Sequence, residues 1–559
     1  MTVTTARPRD EPYDFPQPAP SSRNFAICYL SPKQTGKTSI GSHNLMTFFE
    51  SLLVLLLCAI VLLQVARRLA LPYPAMLAGA GVIVALIPGA PIIPIEPSTY
   101  LALFIAPTLV DAAYDFPPGA TRRFLAPLIA FAVVAVILTT GVVAWIAFAF
   151  LGLPLAAGVA LGAIVAPPDA AAATAVLRNF SIARSTDAIL KGESLFNDAT
   201  ALLLFSGALT LLASGGLHLG VGLRLGFAVP GGILLGMACA HLVRFVNPFV
   251  KDTLGGNLLQ FVLSYLLWII ADHLHLSAVL CVIAFAMTLA RHTDASAFDA
   301  RMRVHSFAVW TSVVFALNVF AFLLMGLQAR SIIGRMQAAH LREALAFAGL
   351  VVLAVVATRL LVVIGFNRGE AWYASAKGRP APATMGQAWF VGWCGMRGFV
   401  TMATAFALPD AFPQRDTVVL TAFCVVLATL VLQGLTLAPL IKLLKLDRSG
   451  EAARELASAR AAMAQAALAS IAGQDGPEAE NLRFRFSLKQ RTCLRETSAQ
   501  SIERLRAMSL KAIEAERDEL ESLRIKDKIG VEDYLGLQEQ LDWSELSVLR
   551  DNERKIEEI

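Results

Sequence analysis

The sequence predicts an all-α polytopic membrane protein: about thirteen transmembrane helices followed by a cytoplasmic helical tail. Three observations carry that expectation. The 559 residues are 56% hydrophobic and only 16% charged, where an average soluble domain is roughly a quarter charged. Apolar runs of about 20 residues, the length a bilayer requires, recur from Met46 to Leu444. After Leu446 the chain turns charged, with Leu and Ile at helical spacing.

The first 45 residues are polar and Pro-rich, which predicts a disordered N-terminal extension over 1–45. Met46 offers an alternative natural start. "SPKQTGKTS" within this stretch imitates a phosphate-binding loop, but Ser31 stands where its first glycine belongs and no strand precedes it. The transmembrane domain, 46–446, divides by length into spans near 46–66, 71–92, 98–116, 122–151, 154–177, 186–213, 219–245, 256–272, 276–292, 302–328, 341–366, 386–409 and 415–444. The division at Asp272–His275 splits one long apolar run.

Basic residues test this arrangement. With the C-terminus placed in the cytoplasm, the inside loops hold Arg67, Arg68, Arg122, Arg123, Arg244, Lys251, Lys377 and Lys445 among others. The outside loops keep Arg224, Arg330, Arg335, Arg342 and Arg415, an asymmetry that fits the positive-inside rule, while the first 45 residues, with Arg7, Arg9, Arg23, Lys33 and Lys37, run mildly against it. An odd number of spans then puts the N-terminus outside. The tail, 447–559, reads as a cytoplasmic helical appendage: either a plain soluble amphipathic one or a regulatory or dimer-supporting element. A formal charge of +5, spread along the chain, gives no argument for nucleic acid. Seven cysteines without paired spacing read as packing residues, not as disulfides or metal ligands.

Ionisable groups at bilayer depth cost roughly 2.5–3.5 kcal/mol each and are functional by default. Here they are Asp111, Asp169, Glu193, Asp198, Arg359 and Arg397. In the fifth span Pro167 and Pro168 fall in mid-segment, where each removes a helix hydrogen bond and costs about 3 kcal/mol. A broken helix is expected, with Asp169 near the positive end of its second half. A plain proline kink would explain the prolines but not the acid. The twelfth span has a matching interruption, with Gly392, Gly395 and Gly398 around Arg397. If spans 1–6 and 8–13 are two repeats, these breaks occupy equivalent places, the sequence pointer to a midplane site between inverted repeats.

In "GESLFNDATALLLF", Ser194 shares a helix face with Asp198, and Glu193 with Asn197. One acid has a structural explanation in a pair with an arginine. Pairing both acids would consume Arg359 and Arg397 and still leave Asp111 and Asp169, so at least one carboxylate is free for a proton or cation. Hard oxygen ligands suit Na⁺, Li⁺ or K⁺. No cofactor is expected.

These motifs together resemble the monovalent cation:proton antiporters of the sodium/proton exchanger type. "GESLFNDATALLLF" is similar to that family's G-E-S-L-x-N-D motif, "LFIAPTLVDAAYDF" to its third helix, "GAIVAPPDAAAA" to its unwound fifth helix and "GWCGMRGFVTMATAFALP" to its G-G-L-R-G segment. The resemblance spans residues 46–445. It implies crossed broken helices at spans 5 and 12, and exchange of a cation for protons across the inner (plasma) membrane in pH and cation homeostasis, not enzymatic catalysis. Asp198 would bind ion and proton, beside Asn197, with Ser194 as a hydroxyl ligand and Asp169 in the site. Glu193 would be held by Arg359 in a supporting role, and Asp111 would line the cytoplasmic approach. Asn197 in place of a second acid resembles the electroneutral branch, and the family is dimeric. The family's Thr-Asp pair is Pro168-Asp169 here, which leaves Na⁺ ahead of K⁺ only as a ranking. Competition of cation and proton for one carboxylate predicts transport that falls in acid.

A cation channel is disfavoured because channel acid rings come from several subunits. An intramembrane enzyme lacks H-E-x-x-H and any Ser–His pair inside a span. A proton-coupled carrier of an organic solute remains the alternative outside the family, and K⁺/H⁺ exchange the alternative within it.

Overall fold

The computed structural model describes residues 53–550 and 553 apart from 55, 67, 69–71, 87–96, 118, 178–179, 215–218, 251–252, 293–299, 328–333, 335, 379–382, 494–498 and 551–552. The expected extension over 1–45 and the start of the first span lie outside them. Every regular element among the described residues is helical.

The apolar part begins with α1 (Leu56–Ala66), α2 (Tyr73–Leu86) and α3 (Pro97–Tyr114). α4 (Leu125–Leu151) follows a single turn at Ala120–Arg123. It contains a π-helical stretch at Ala130–Val134 that no sequence feature announces. Then come α5 (Leu155–Val165), α6 (Ala170–Leu177), α7 (Arg184–Ser214), α8 (Leu219–Val250), α9 (Leu254–His273) and α10 (Ala278–His292). α9 and α10 are separated by a turn in which His275 takes φ 55°. α11 (Ala300–Leu327), α12 (Ala338–Ala376), α13 (Met385–Trp393), α14 (Phe399–Phe406) and α15 (Arg415–Leu443) complete the apolar part. Seven helices among the described residues are long and apolar enough to cross a membrane.

α12 runs ten residues past the expected end at 366. The polar stretch Asn367–Glu370 looks like a loop, but nothing in it opposes a helix. The helix stops only where Gly378 adopts φ 62°, a left-handed position that ends helices cheaply.

Two bundles are formed. One gathers α4, α5, α7, α12, α13, α14 and α15; the other gathers α2, α3, α8, α9, α10 and α11. They meet where α2 and α3 pack on α15 and α14, and where α8 and α10 pack on α7.

The polar tail is α16 (Ser449–Ser470), α17 (Pro477–Cys493), α18 (Ala499–Ile525) and α19 (Val531–Val548). α16 and α17 fold back on each other through Gly476 at φ 122°, burying Ala461, Ala464 and Ala479. Arg517 of α18 reaches Asp542 and Glu545 of α19 at 2.5 and 2.6 Å. At the root of the tail, Asp447 Oδ1 accepts the Ser449 N–H at 3.1 Å, opening α16, and also the Ser181 N–H at 3.2 Å. The Arg448 N–H returns to the Ser181 carbonyl at 2.7 Å. One carboxylate thus ties the tail to the connection between α6 and α7. Asp447→Ala is expected to cost about 1 kcal/mol of local stability, the usual net worth of an intramolecular hydrogen bond. Amide exchange over 449–470 should then quicken roughly fivefold, the Boltzmann factor for that energy. Unchanged exchange would show that the tie carries no energy.

Candidate functional site

The first break lies between α5 and α6. Pro167 and Pro168 supply no N–H, and each also disfavours helix in the residue before it, so α5 stops at Val165. Both prolines are buried. The second break, Cys394–Gly398 between α13 and α14, needs no proline. α13 opens on a capping box, in which Thr384 Oγ1 accepts the Gln387 N–H and Gln387 Oε1 accepts the Thr384 N–H. It ends where Gly395 and Gly398 remove the side chains that would collide.

The two breaks meet. The Asp169 N–H donates to the Met396 carbonyl at 2.7 Å. Arg397, 1% exposed, turns back on the first break: Nε donates to Val165 O at 3.0 Å, Nη2 to Ala166 O at 3.1 Å, and Nη1 to Gly395 O. The Val165 and Ala166 carbonyls are among those that a helix C-terminus leaves without intrahelical donors, and a cation suits that negative end. Arg397 is itself fixed by its N–H to Thr429 Oγ1 at 3.0 Å. The reciprocal contact is the Asp169 carboxylate, which lies against Gly398, the residue before α14, where the helix dipole favours an anion. A Cβ on Gly398 would fall on that carboxylate.

Gly395 has a second task. A Cβ there would stand 3.0 Å from Arg397 Nη1 and 3.1 Å from Arg359 Nε, so its absence lets two guanidinium groups approach one backbone. Arg359 of α12 is paired with Glu193 of α7 through both carboxylate oxygens, Nη2–Oε2 being 2.8 Å. Arg359 Nη2 also donates to Val391 O at 3.3 Å. Both side chains are buried.

The arginines are therefore spent, one on a carboxylate and one on carbonyls. The sequence allowed Arg397 a carboxylate partner; it takes helix-end carbonyls instead. Asp198 is 7% exposed and has no ion pair among the described residues, with Asp169 as the charged group that bears on it. Beside it Asn197, wholly buried, donates Nδ2–H to Pro168 O at 2.9 Å. That bond orients the amide, so Asn197 Oδ1 is the atom left as a buried acceptor without a donor among the described residues. Ser194 lies one turn before Asp198, half-buried. Asp111 is half-buried on α3, in the other bundle, on a helix that packs against α7 and α14.

Sequence reasoning overlooked Thr429, Gln433 and Thr436 of α15. Their signal was a polar stripe at i, i+4 and i+7 in an otherwise apolar helix. Thr436 Oγ1 accepts the indole N–H of Trp393, the last residue of α13, at 2.8 Å.

Two broken helices meeting beside an acidic α7 inside an apolar bundle is the arrangement to which one family profile answers. A profile described as "Sodium/hydrogen exchanger, transmembrane" matches residues 52–443. The chain belongs to the sodium/hydrogen exchanger family. Among curated relatives, the sodium, potassium, lithium and rubidium/H⁺ antiporter of Bacillus pumilus is 26% identical over 510 residues, covering 87% of this chain and 75% of that protein. The low-affinity Na⁺/H⁺ antiporter NhaS1 of Synechocystis is 27% identical over 467 residues, covering 80% and 85%. The solved sodium proton antiporter MjNhaP1 of Methanocaldococcus jannaschii is 20% identical with a TM-score of 0.52, covering 72% of this chain and 99% of that one. That likeness shows a common fold, and the chain is a multi-pass membrane protein.

Gly398→Ala follows from the geometry as a stability test. The methyl must displace the Asp169 carboxylate, an overpacking expected to cost about 1–3 kcal/mol. A detergent-solubilised variant with wild-type Tm would mean that the two breaks do not pack this closely.

Proposed function

We propose that the chain is a secondary active antiporter that exchanges a monovalent cation, Na⁺ first and Li⁺ also, for protons. Asp198 is the shared binding carboxylate. The observation that carries this reading is a buried acid with no ion pair among the described residues, while its neighbour Glu193 is fully engaged by Arg359. Keeping such a group in a membrane interior is costly unless it binds something. Asn197 Oδ1 supplies a neutral oxygen, and Ser194 and Asp169 complete a hard-oxygen set for an alkali ion. Asp111 lines the approach. Glu193, Arg359, Arg397, Pro167 and Pro168 shape the site without holding the ion. Pro168 contributes its carbonyl to orienting Asn197 and no hydroxyl, so it supplies no side-chain ligand.

With one carboxylate alternating between proton and cation, the exchange is electroneutral and needs no ATP. Thirteen spans in two inverted repeats, with the breaks crossing at mid-membrane, give alternating access around that point. Residues 46–446 form the exchange domain and 447–559 a cytoplasmic tail; the protein is a homodimer of the inner membrane serving pH and cation homeostasis. K⁺/H⁺ exchange is the second reading, favoured by the relative from Bacillus pumilus whose name includes potassium and rubidium.

The test is proton movement in sealed vesicles driven by Na⁺, Li⁺ or K⁺ in turn. Flux ranked Na⁺ above K⁺ supports the first reading and the reverse order the second. If no alkali cation moves protons through correctly inserted protein, the exchange reading fails.

A further inference from the structure

Gln433 of α15 is 1% exposed, and neither its amide oxygen nor its amide nitrogen has a hydrogen-bond partner among the described residues. Each orphaned polar group in a protein interior keeps its desolvation penalty without a bond to offset it. An apolar side chain of the same shape would avoid both penalties. Stability alone therefore gives no reason for an amide here.

The register of α15 shows what the amide faces. Thr429, one turn earlier, accepts the Arg397 N–H at 3.0 Å, and Thr436, three residues on, accepts the Trp393 indole at 2.8 Å. A Cβ on Gly434 would lie 3.7 Å from Met396 Sδ. α15 thus runs antiparallel along residues 393–397, and Gln433, which shares a helix face with Thr429, falls opposite the unwound residues 394–396. The Cys394 N–H closes the last turn of α13 on Phe390 O at 2.9 Å, and Gly395 and Met396 follow outside the helix. Their two carbonyls are committed to the meeting of the breaks, Gly395 O to Arg397 and Met396 O to the Asp169 N–H. If the breaks shift as the site is loaded and unloaded, these bonds must be released and their groups re-satisfied inside the protein. An amide, donor and acceptor at once, is suited to that duty.

We infer that Gln433 is a positioning residue of the exchange cycle: its amide takes up backbone groups of residues 394–396 when the second break rearranges, at the expense of stability in the state seen here. It does not touch the ion. The inference rests on the exchange reading above and adds a residue that the motifs do not contain.

Gln433→Met and Gln433→Leu in the full chain, reconstituted in vesicles, test it through thermal stability and Na⁺-driven proton flux per folded molecule. The expected result pairs a Tm at or above wild type, because an orphaned amide has been removed, with a Vmax lower by about tenfold and a KM for Na⁺ within about twofold, the pattern of a lost step with binding intact. A lower Tm with normal flux, or variants that fail to insert, would mean the amide is structurally partnered and would overturn the inference. Wild-type behaviour in both readouts would overturn it equally. Absence of flux in the wild type itself is a separate result: it removes the exchange reading, and this inference with it.

Discussion

Asp198→Asn is expected to abolish cation-driven proton movement while leaving the protein folded and inserted. The substitution keeps the shape of the side chain and removes the charge that makes the site. Asp198 has no ion pair among the described residues to lose, and it is buried, so neutralising it relieves a desolvation cost and does not create one. Flux should fall by more than about a hundredfold, beyond the roughly 10–100-fold typical of losing a supporting partner of a metal ligand. Tm should hold or rise. The wild type gives the companion result: if proton and cation compete for this carboxylate, the apparent KM for Na⁺ climbs as pH falls while Vmax stays level. A mutant that still exchanges would move the binding role to Asp169, the other acid that bears on Asp198. A Vmax that falls with pH at saturating Na⁺ would point to a titrating group other than the binding carboxylate.

Much of this arrangement is legible in the sequence because its causes are local. Two adjacent prolines remove two consecutive N–H donors and disfavour helix in the residue before each, so the break after Val165 follows from residues 167 and 168. The interruption around Arg397 follows from glycine spacing. What the breaks do for each other depends on residues more than 200 positions apart, as with Arg397 and Val165, and no local rule supplies that pairing. Arithmetic on charges went part of the way. It left at least one carboxylate over, and Asp198 is buried with no ion pair among the described residues, but it did not foresee an arginine satisfied by carbonyls. Thr429 and Gln433 were hidden because a hydroxyl or amide in an apolar helix barely alters its periodicity. The end of α12 differs from the expected 366 for another reason: nothing in the polar residues after it opposes a helix, and only the left-handed Gly378 provides a stop.

The Glu193–Arg359 pair separates support from ion carriage, and its two halves are expected to fail unequally. Glu193→Gln leaves Arg359 buried with no carboxylate, beside Arg397, which approaches the same Gly395. Guanidinium does not deprotonate in proteins, so neither charge can be shed. The cost should reach the upper part of the range of about 3–5 kcal/mol for breaking a buried pair. Arg359→Met leaves a carboxylate instead, which escapes by taking up a proton and still has Arg397 nearby. Its cost should be smaller. The double variant Glu193→Gln/Arg359→Met removes both charges and should recover most of the loss, since replacing a whole buried pair by neutral groups is often near neutral. Thermal unfolding of the four proteins gives the cycle directly. Additive losses would show that the pair does not act as a unit. Transport by the double variant then decides the role of Glu193. Exchange that survives at a reduced rate makes the pair a brace for α7 and α12, while a folded double variant without flux would place Glu193 among the groups that carry the ion.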